Sequence, residues 1–391
     1  MDAKERIISS VRLKPVDRIP TSYRGSKPVT EALMKHFNIK IEGPLLNEKS
    51  RRALKNKLGV DTFSNTVNPD AFNYYRPVYN GPPPEPPYKA DAVLLYTLGI
   101  KIKSTRLEKY DYEYNYIYDS PLKDISTISE LKENSIYPVL DLFDFNTYIN
   151  GMTGKEFNNS RHKDTSSIIS MGALNCPFMI CCYLRGMEKF LTDLASNKKL
   201  AKYLIDMVGG FCLEFSNREL KSFGEKAEFY CSWDDVAGQY GPMVHPDIFV
   251  KYFMPLYKKL IDSVKKYNLF FTWHCCGSVH KILPHMIDAG LDVFEVCQTS
   301  AKDMELEKVH DLYGRKVCIH GGIDVQNLLV NKEPKDVEEE VKKIFDLWGF
   351  NGGIIIAPSH VIVPGTPVQN VLALYEAANR ENSSRSIDNK G

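Results

Sequence analysis

From about residue 166 onward, short apolar runs alternate with helical patterns, and this alternation restricts the fold more than any other feature. The runs are rich in β-branched and aromatic residues, and the segments between them carry apolar residues at helical spacing. Such alternation is typical of βα units on a parallel sheet. The predicted strands are Ser167–Ala173, Ala227–Trp233, Leu269–His274, Val293–Cys297, Lys316–His320 and Gly353–Ala357. The sequence therefore predicts an α/β protein in which these strands form most of an eight-stranded barrel.

Helices are predicted between these strands. The clearest patterns cover Asn197–Phe223, Pro246–Tyr267 and Lys335–Trp348. Ser278 is placed to cap a further helix that Gly290 would end. Thr366-Pro367 opens the last helix in the same way.

The first 165 residues carry a weaker pattern. It predicts a strand at Arg18–Tyr23 and helices around Lys27–Phe37 and Glu48–Leu58, which would complete the barrel. The proline-rich stretch at 81–87 predicts a stiff surface connector. We treat residues 1–380 as one domain with a connector and hairpin insertion at about 81–120, and residues 381–391 as a disordered tail.

The predicted hairpin combines Val93–Thr105 with Leu107–Asp119. In its second half, tyrosines alternate with mostly polar residues, which places the rings on one face of a strand. That face either packs on the barrel or forms an aromatic wall toward a substrate.

Charge and composition exclude several classes of protein. Fifty Lys+Arg residues face 49 Asp+Glu, so a basic surplus for nucleic acid or anionic lipid is lacking. The N-terminus lacks the apolar core of a signal peptide, and the longest apolar run is too short for a transmembrane helix. Nine cysteines, two adjacent pairs among them, favour free thiols in a reducing compartment. We expect a cytoplasmic protein, with a homodimer as the commonest form of assembly.

A His-x-Cys pair ends one of the predicted strands. His274 and Cys276 follow Phe270-Phe271-Thr272-Trp273, at the end of a barrel strand where catalytic residues collect. Imidazole and thiolate are ligands that zinc favours. The motif alone fits either a metal site or cysteines buried in a βα turn.

Neighbouring strand ends carry residues of the same kind. These candidates are Asp234, Asp235, Glu295, Cys297, His320, Asp324 and His360. Their clustering at strand ends favours an active site, although each residue also fits a structural role as a turn cap, a core histidine or a small buried thiol.

Several segments together resemble the uroporphyrinogen decarboxylase superfamily, and within it the methyltransferase-like branch. That branch includes methylcobalamin:coenzyme M methyltransferases and corrinoid-dependent O-demethylases. The segments are 4–6, 14–20, 183–188, 234–239, 274–278, 320–326, 357–360 and 365–370.

The resemblance implies a single TIM barrel with a deep site at the carboxyl ends of the strands. It also implies a zinc ion held by His274 and Cys276, and a corrinoid such as methylcobalamin as co-substrate on a partner protein. The branch usually supplies a third ligand, a cysteine, near the end of the last strand. This chain has Ser359-His360 there, so His360, Glu295 or Cys297 remain alternatives. In the same picture, Asp234 or Asp235 orients a small-molecule substrate, and His320 or Asp324 supports the site.

The alternatives are different kinds of protein. One alternative is a metal-independent lyase acting on a tetrapyrrole or another polycarboxylate. The decarboxylases of the family that this chain resembles carry an arginine-containing segment near the N-terminus that holds carboxylates. The corresponding region of this chain, 21–27, holds only Arg24. A metal-dependent hydrolase or a catalytically silent binding barrel is the third reading, since the fold by itself does not fix the chemistry.

Overall fold

The computed structural model describes residues 1–40, 48–63, 74–75, 77–82, 95, 97–110, 112–134, 140–148, 170–172 and 176–388. The strands are β1 (Ser22–Tyr23), β2 (Thr62–Phe63), β3 (Tyr74–Tyr75), β4 (Pro77–Tyr79), β5 (Lys101–Leu107), β6 (Tyr112–Asp119), β7 (Phe143–Tyr148), β8 (Ser170–Met171), β9 (Phe229–Trp233), β10 (Ala237–Gly238), β11 (Gly241–Pro242), β12 (Phe270–His274), β13 (Val293–Cys297), β14 (Cys318–Ile323) and β15 (Ile354–Pro358).

Helices follow most of the long strands. They are α1 (Ala3–Val11), α2 (Lys27–His36), α3 (Glu48–Leu58), α4 (Ile128–Asn134), α5 (Pro177–Arg185), α6 (Met187–Ser196), α7 (Lys198–Phe223), α8 (Pro246–Tyr252), α9 (Met254–Lys265), α10 (Leu283–Ala289), α11 (Leu306–Tyr313), α12 (Leu328–Asn331), α13 (Pro334–Trp348) and α14 (Val368–Asp388). None of the described helices is long and apolar enough to span a bilayer.

Seven strands form one parallel sheet in the order β15-β14-β13-β12-β9-β8-β3. β1 and β2 form a separate parallel pair, and Thr21 bridges in parallel to Ile356 of β15. The series thus continues from β15 to β1 and β2. The pairings described do not join its two ends, so the α/β fold with a parallel sheet is confirmed and the closed barrel stays a prediction.

Side chains on one face of the sheet pack against one another and against α1. Its small core consists of Ile7 and Val11 of α1 with alternate residues of the strands, namely Phe229, Cys231, Val293, Cys318 and Ile355. The hydroxyl of Ser10 donates to the carbonyl of Ile354 at 2.7 Å, which fixes α1 at the start of β15. Because α1 covers the beginning of the strands, a site on this face lies at their carboxyl ends.

Two predicted helices differ from those observed, and proline explains both differences. The segment 246–267 is divided into α8 and α9, because Pro255 has no backbone N–H to continue the hydrogen bonds of a single helix. Ser278 does not cap a helix, since α10 begins at Leu283 with Pro284 in its first turn. The backbone N–H of Ser278 instead donates to the carbonyl of Gly238 at 2.9 Å.

The predicted disordered tail is wrong for residues 381–388, because α14 continues to Asp388. Asn382 is buried, and its side-chain amide donates to the carbonyl of Ile19 at 3.1 Å and accepts from the N–H of Ile19 at 2.8 Å. A polar composition suggested disorder, but these two bonds hold the helix against the start of β1.

The hairpin of β5 and β6 packs on the main core with the face opposite to the tyrosines. Ile102 and Ile117 pair across the hairpin and contact the main core. Tyr116 and Tyr118 are 43% and 45% exposed. The prediction that the aromatic face packs on the barrel is therefore wrong at these two positions. Residues 83–87 of the proline-rich connector lie outside the described part of the chain.

An ionic cluster connects α1 with the segment before β1. Asp61 accepts hydrogen bonds from Arg6 at 2.5 Å and Arg18 at 2.8 Å. Arg6 also donates to both oxygens of Asp17, at 2.7 and 2.8 Å, and the N-terminal amine donates to Asp17 at 3.1 Å. Burial raises the pKa of Asp17, but the bonds from Arg6 and the amine lower it well below its ordinary value.

Asp17→Asn is expected to reduce stability at neutral pH and much less at low pH. A depressed pKa in the folded protein stabilises it above the unfolded pKa of about 4 and loses that contribution as the pH falls. Urea unfolding at pH 7, 4 and 3 measures the difference between the variant and the wild type. Asp288→Asn, at an exposed position on α10, is the control. A difference for Asp17→Asn that stays constant with pH would contradict the expectation.

Candidate metal centre

The register of the sheet places four side chains in one row at the carboxyl ends of the strands. Trp233 of β9 pairs with His274 of β12, His274 pairs with Glu295 of β13, and Glu295 pairs with His320 of β14. Side chains of paired residues in neighbouring strands point to the same face. The row therefore brings two imidazoles and a carboxylate together.

Three donor atoms meet above this row. One ligand atom from each of His274, Cys276 and His360 lies within 4.8 Å of the others. Nε2 of His274 is 3.6 Å from Sγ of Cys276, and the imidazole centroids of His274 and His360 are 6.3 Å apart. His274 is buried, whereas Cys276 and His360 are partly accessible. The cluster is therefore open on one side, the arrangement that a reactive metal site needs.

The turn that carries Cys276 is held from three sides. The Cys276 N–H donates to Asp235 at 2.7 Å, and the Gly277 N–H donates to the side-chain oxygen of Gln298 at 2.8 Å. Gly277 has φ +85°, and a Cβ there would lie 2.5 Å from the carbonyl oxygen of Gly238. Only glycine fits this position, so the turn after β12 has little freedom to move Cys276.

The Glu295 carboxylate lies at the centre of the buried charges. Its Oε1 accepts from Nη1 of Arg24 at 2.9 Å and is 3.5 Å from Nδ1 of His274, and its Oε2 is 3.7 Å from Nδ1 of His320. Burial raises the pKa of Glu295, but His274 and His320 lower it well below its ordinary value. An ionised Glu295 beside Nδ1 favours a proton on that nitrogen, which leaves Nε2 of His274 as the ligand atom.

The other two donors have pKa values set by burial. Burial, together with Asp235, raises the pKa of the Cys276 thiol. Burial and the charge of Arg24 lower the pKa of His360 to about 4. At neutral pH His360 is therefore a neutral imidazole able to bind a cation, whereas Cys276 loses its proton when a cation binds.

Two predicted catalytic residues have structural contacts. Asp234 is fully buried and accepts from the N–H groups of Phe178 and Met179 at the start of α5, and from the hydroxyl of Tyr257. Burial raises the pKa of Asp234 to about 7. Asp324 accepts from three backbone N–H groups that open α12.

The remaining candidates separate into two groups. Asp235 and His320 lie beside the cluster. Asp235 accepts from the N–H of Cys276, and His320 lies against the carboxylate of Glu295. Glu295 and Cys297, the alternative third ligands, are not part of the three-donor group. Cys297 is fully buried, and burial raises the pKa of its thiol to about 12. Among the described residues, His360 is thus the third donor that the geometry brings to His274 and Cys276.

Two side chains of this site were not predicted from the sequence. Arg24 bonds to Glu295, and its guanidinium lies 5.5 Å from the centroid of the Trp233 ring. The Trp233 ring is 4.5 Å from the ring of His274 at an interplanar angle of 30°. The sequence signals were that Trp233 ends a predicted strand and that Arg24 is the one arginine in the segment 21–27.

The donor set fits a borderline-soft divalent cation. Two imidazole nitrogens and one thiolate are the ligands that zinc favours, and three protein ligands leave a fourth position open. The Glu295 carboxylate, 3.5 Å from Nδ1 of His274, is the kind of partner that orients a zinc-binding imidazole.

Comparison with known proteins places the chain in a family. The sequence profile described as uroporphyrinogen decarboxylase (URO-D) matches residues 160–381, more than half of the chain. The chain belongs to the uroporphyrinogen decarboxylase family. The match covers β8 to β15 and the three candidate metal ligands His274, Cys276 and His360. It confirms the superfamily predicted from the sequence segments.

Relatives within the uroporphyrinogen decarboxylase family carry two different activities in their names. A methylcobamide:CoM methyltransferase of Methanosarcina acetivorans is 24% identical over 208 residues, 53% of this chain and 57% of the relative. The chain thus spans little more than half the length of that relative. A uroporphyrinogen decarboxylase of Geobacter sulfurreducens is 22% identical over 283 residues, 70% of this chain and 75% of the relative.

A solved structure shares the fold. A methyltransferase from Methanosarcina mazei superposes with a TM-score of 0.61 and 19% sequence identity, and covers 97% of this chain and 99% of that chain. The likeness supports one fold over nearly the whole chain, including the segment before residue 160.

Proposed function

We propose that this protein is a zinc-dependent methyltransferase that moves a methyl group between a small-molecule substrate and a corrinoid carried by a partner protein. The observation that carries the proposal is the open His274–Cys276–His360 cluster at the carboxyl ends of parallel strands. The similarity to methylcobamide:CoM methyltransferase supports the corrinoid part. The fold we propose for it is a closed (β/α)8 barrel with one mouth above the cluster.

The side chains of the site divide into those that bind a metal and those that orient the binders. His274, Cys276 and His360 would hold zinc, which supplies the Lewis acidity that keeps a thiol ionised at neutral pH. Glu295 orients the imidazole of His274, and Arg24 compensates the buried charge of Glu295. Asp235 fixes the backbone of Cys276.

In the direction that forms a thioether, the acceptor thiol gives its proton to solvent. Its sulfur then attacks the methyl group of methylcobalamin, the S–C bond forms and the Co–C bond breaks. The bonding electron pair remains on cobalt, which leaves as cob(I)alamin. The reverse step would methylate the corrinoid from a small-molecule donor at the same site.

Zinc content and cobalamin spectroscopy together test the proposal. Purified protein is expected to contain about one zinc per chain, because three convergent ligands suffice for tight binding. With free methylcobalamin and 2-mercaptoethanol it is expected to produce cob(I)alamin. The absorbance of cob(I)alamin, recorded under anaerobic conditions, measures this product. Metal-free protein reconstituted with Mg²⁺ is the control. A zinc-loaded protein that leaves methylcobalamin unchanged, with or without a corrinoid protein, would contradict the function.

The lyase alternative rests on the decarboxylase relatives. Binding of a polycarboxylate needs free cationic groups in the site. The one arginine in the segment after β1 already pairs with Glu295, and both side chains are almost fully buried. This pairing favours the methyltransferase. Release of CO₂ from a tetrapyrrole by zinc-free protein would instead favour the lyase.

A further inference from the structure

The rim of the strand ends carries an exposed aromatic ring. Tyr240 is 90% exposed, more than any other large hydrophobic residue among those described. It lies in the two-residue turn between β10 and β11, the short strands that follow β9. A tyrosine so exposed is a common anchor for a ligand or partner.

The turn is rigid even though its tip is exposed. The side-chain NH₂ of Gln239 donates to the side-chain oxygen of Gln326 at 2.9 Å, and Ser300 donates to the same oxygen at 3.4 Å. The carbonyl of Gln239 accepts from the N–H of Lys302 at 2.9 Å. Loops after β9, β13 and β14 are therefore joined into one surface, here called the rim ledge (Gln239, Tyr240, Ser300 and Gln326).

The rim ledge is hydrogen-bonded to the loop that follows Cys276. The carbonyl of Gly238 accepts from the N–H of Ser278 at 2.9 Å, so the strand that leads to Tyr240 packs on the loop that follows Cys276. A Cβ added at Gly238 or Gly241 would meet no atom within 4 Å, so both strands that flank the turn have open space beside them. A flat ligand on the ledge would thus lie next to the entrance of the cluster.

The polar groups of the ledge are neutral amides. The bond between the two side chains does not use the NH₂ of Gln326 or the side-chain oxygen of Gln239, and Gln326 is exposed while Gln239 is half-buried. A donor and an acceptor side by side match a primary carboxamide, which offers the complementary pair. An uncharged ligand with a flat apolar body and amide substituents satisfies both the ring and the amides.

We propose that the rim ledge receives the edge of the corrin macrocycle, with Tyr240 against the ring and Gln239 and Gln326 bonded to its carboxamide side chains. This inference rests on the proposed function, since the corrinoid is the substrate that it brings to the cluster. A corrinoid bound there would lie beside the loop that follows Cys276.

Steady-state kinetics with free methylcobalamin as the probe tests the ledge. Tyr240→Ala is expected to raise the KM for methylcobalamin about tenfold, with kcat within about twofold and zinc content unchanged. Tyr240→Phe retains the ring and is expected to behave like the wild type. Gln326→Leu is a second variant, expected to raise the same KM about threefold. Leu312→Ala removes an exposed side chain near the end of α11 and is the matched control.

The outcomes distinguish the ledge from the function. An active Tyr240→Ala enzyme with an unchanged KM for methylcobalamin overturns the ledge and leaves the function standing. If the wild type transfers no methyl group, equilibrium dialysis with hydroxocobalamin tests the ledge directly. Binding that is weakened by Tyr240→Ala but not by Leu312→Ala then supports the ledge, and equal binding by all three proteins overturns it.

Discussion

Replacing His274 and Cys276 together by alanine is expected to remove bound zinc and to lower the rate of methyl transfer by more than a factor of about 100. Loss of a partner that merely orients a ligand already costs about 10- to 100-fold in metal affinity, and here two of three direct ligands are lost. Elemental analysis of the purified variant and cobalamin absorbance assays measure both effects. Far-UV circular dichroism checks that the fold is retained.

The chain offers close controls for this experiment. Cys275→Ala changes the neighbouring thiol, which is fully buried and bonded to the N–H of Val236, and zinc should be retained. His360→Ala should lose zinc, whereas Cys297→Ala should retain it. Retention of zinc by His360→Ala together with its loss by Cys297→Ala would assign the third ligand to the cysteine and contradict the geometry reported above.

Arg24→Met is expected to destabilise the protein by about 3–5 kcal/mol. The Arg24–Glu295 pair is buried, with side-chain exposures of 6% and 5%, so removal of the arginine leaves an uncompensated carboxylate between two histidines. Breaking a buried ion pair costs this much because the remaining charge is desolvated without its partner. Urea unfolding of metal-free protein, which avoids stabilisation by zinc, measures the change.

The double variant Arg24→Met/Glu295→Gln separates charge from packing. If the loss in Arg24→Met comes from the unpaired carboxylate, neutralising Glu295 is expected to restore about half of it or more. The isolated Glu295→Gln variant should lose zinc affinity by about 10- to 100-fold, because His274 loses its charged partner. A double variant less stable than either single variant would show that packing around Trp233, not charge, dominates.

Much of the fold followed from local pattern. The strands observed at 229–233, 270–274, 293–297 and 354–358 lie within one or two residues of those predicted, because parallel strands buried on both faces are continuous apolar runs. The predicted α3 and α13 also agree closely with the observed bounds. The errors in the bounds of helices occurred where a proline interrupted a helical pattern or where two side-chain bonds ordered a polar segment.

The site was predicted less completely. His274 and Cys276 were visible as a motif, and His360 was one of three alternatives for the third donor. The sequence also drew attention to Asp234 and Asp324, whose carboxylates instead bond the first turns of helices. An aspartate after a strand fits both roles, since helix N-termini and reactive sites both occur at that end of the strands.

The sequence by itself determined the α/β class, the family segments and two of the three proposed metal ligands, because each depends on residues that are close in the chain. The tertiary structure alone brought His360 to His274 across a separation of 86 residues, and Arg24 to Glu295 across a separation of 271 residues. Distances between residues so far apart depend on strand register and on the curvature of the sheet, which no local pattern encodes. The same register decided which carboxylate supports the cluster and which supports a helix.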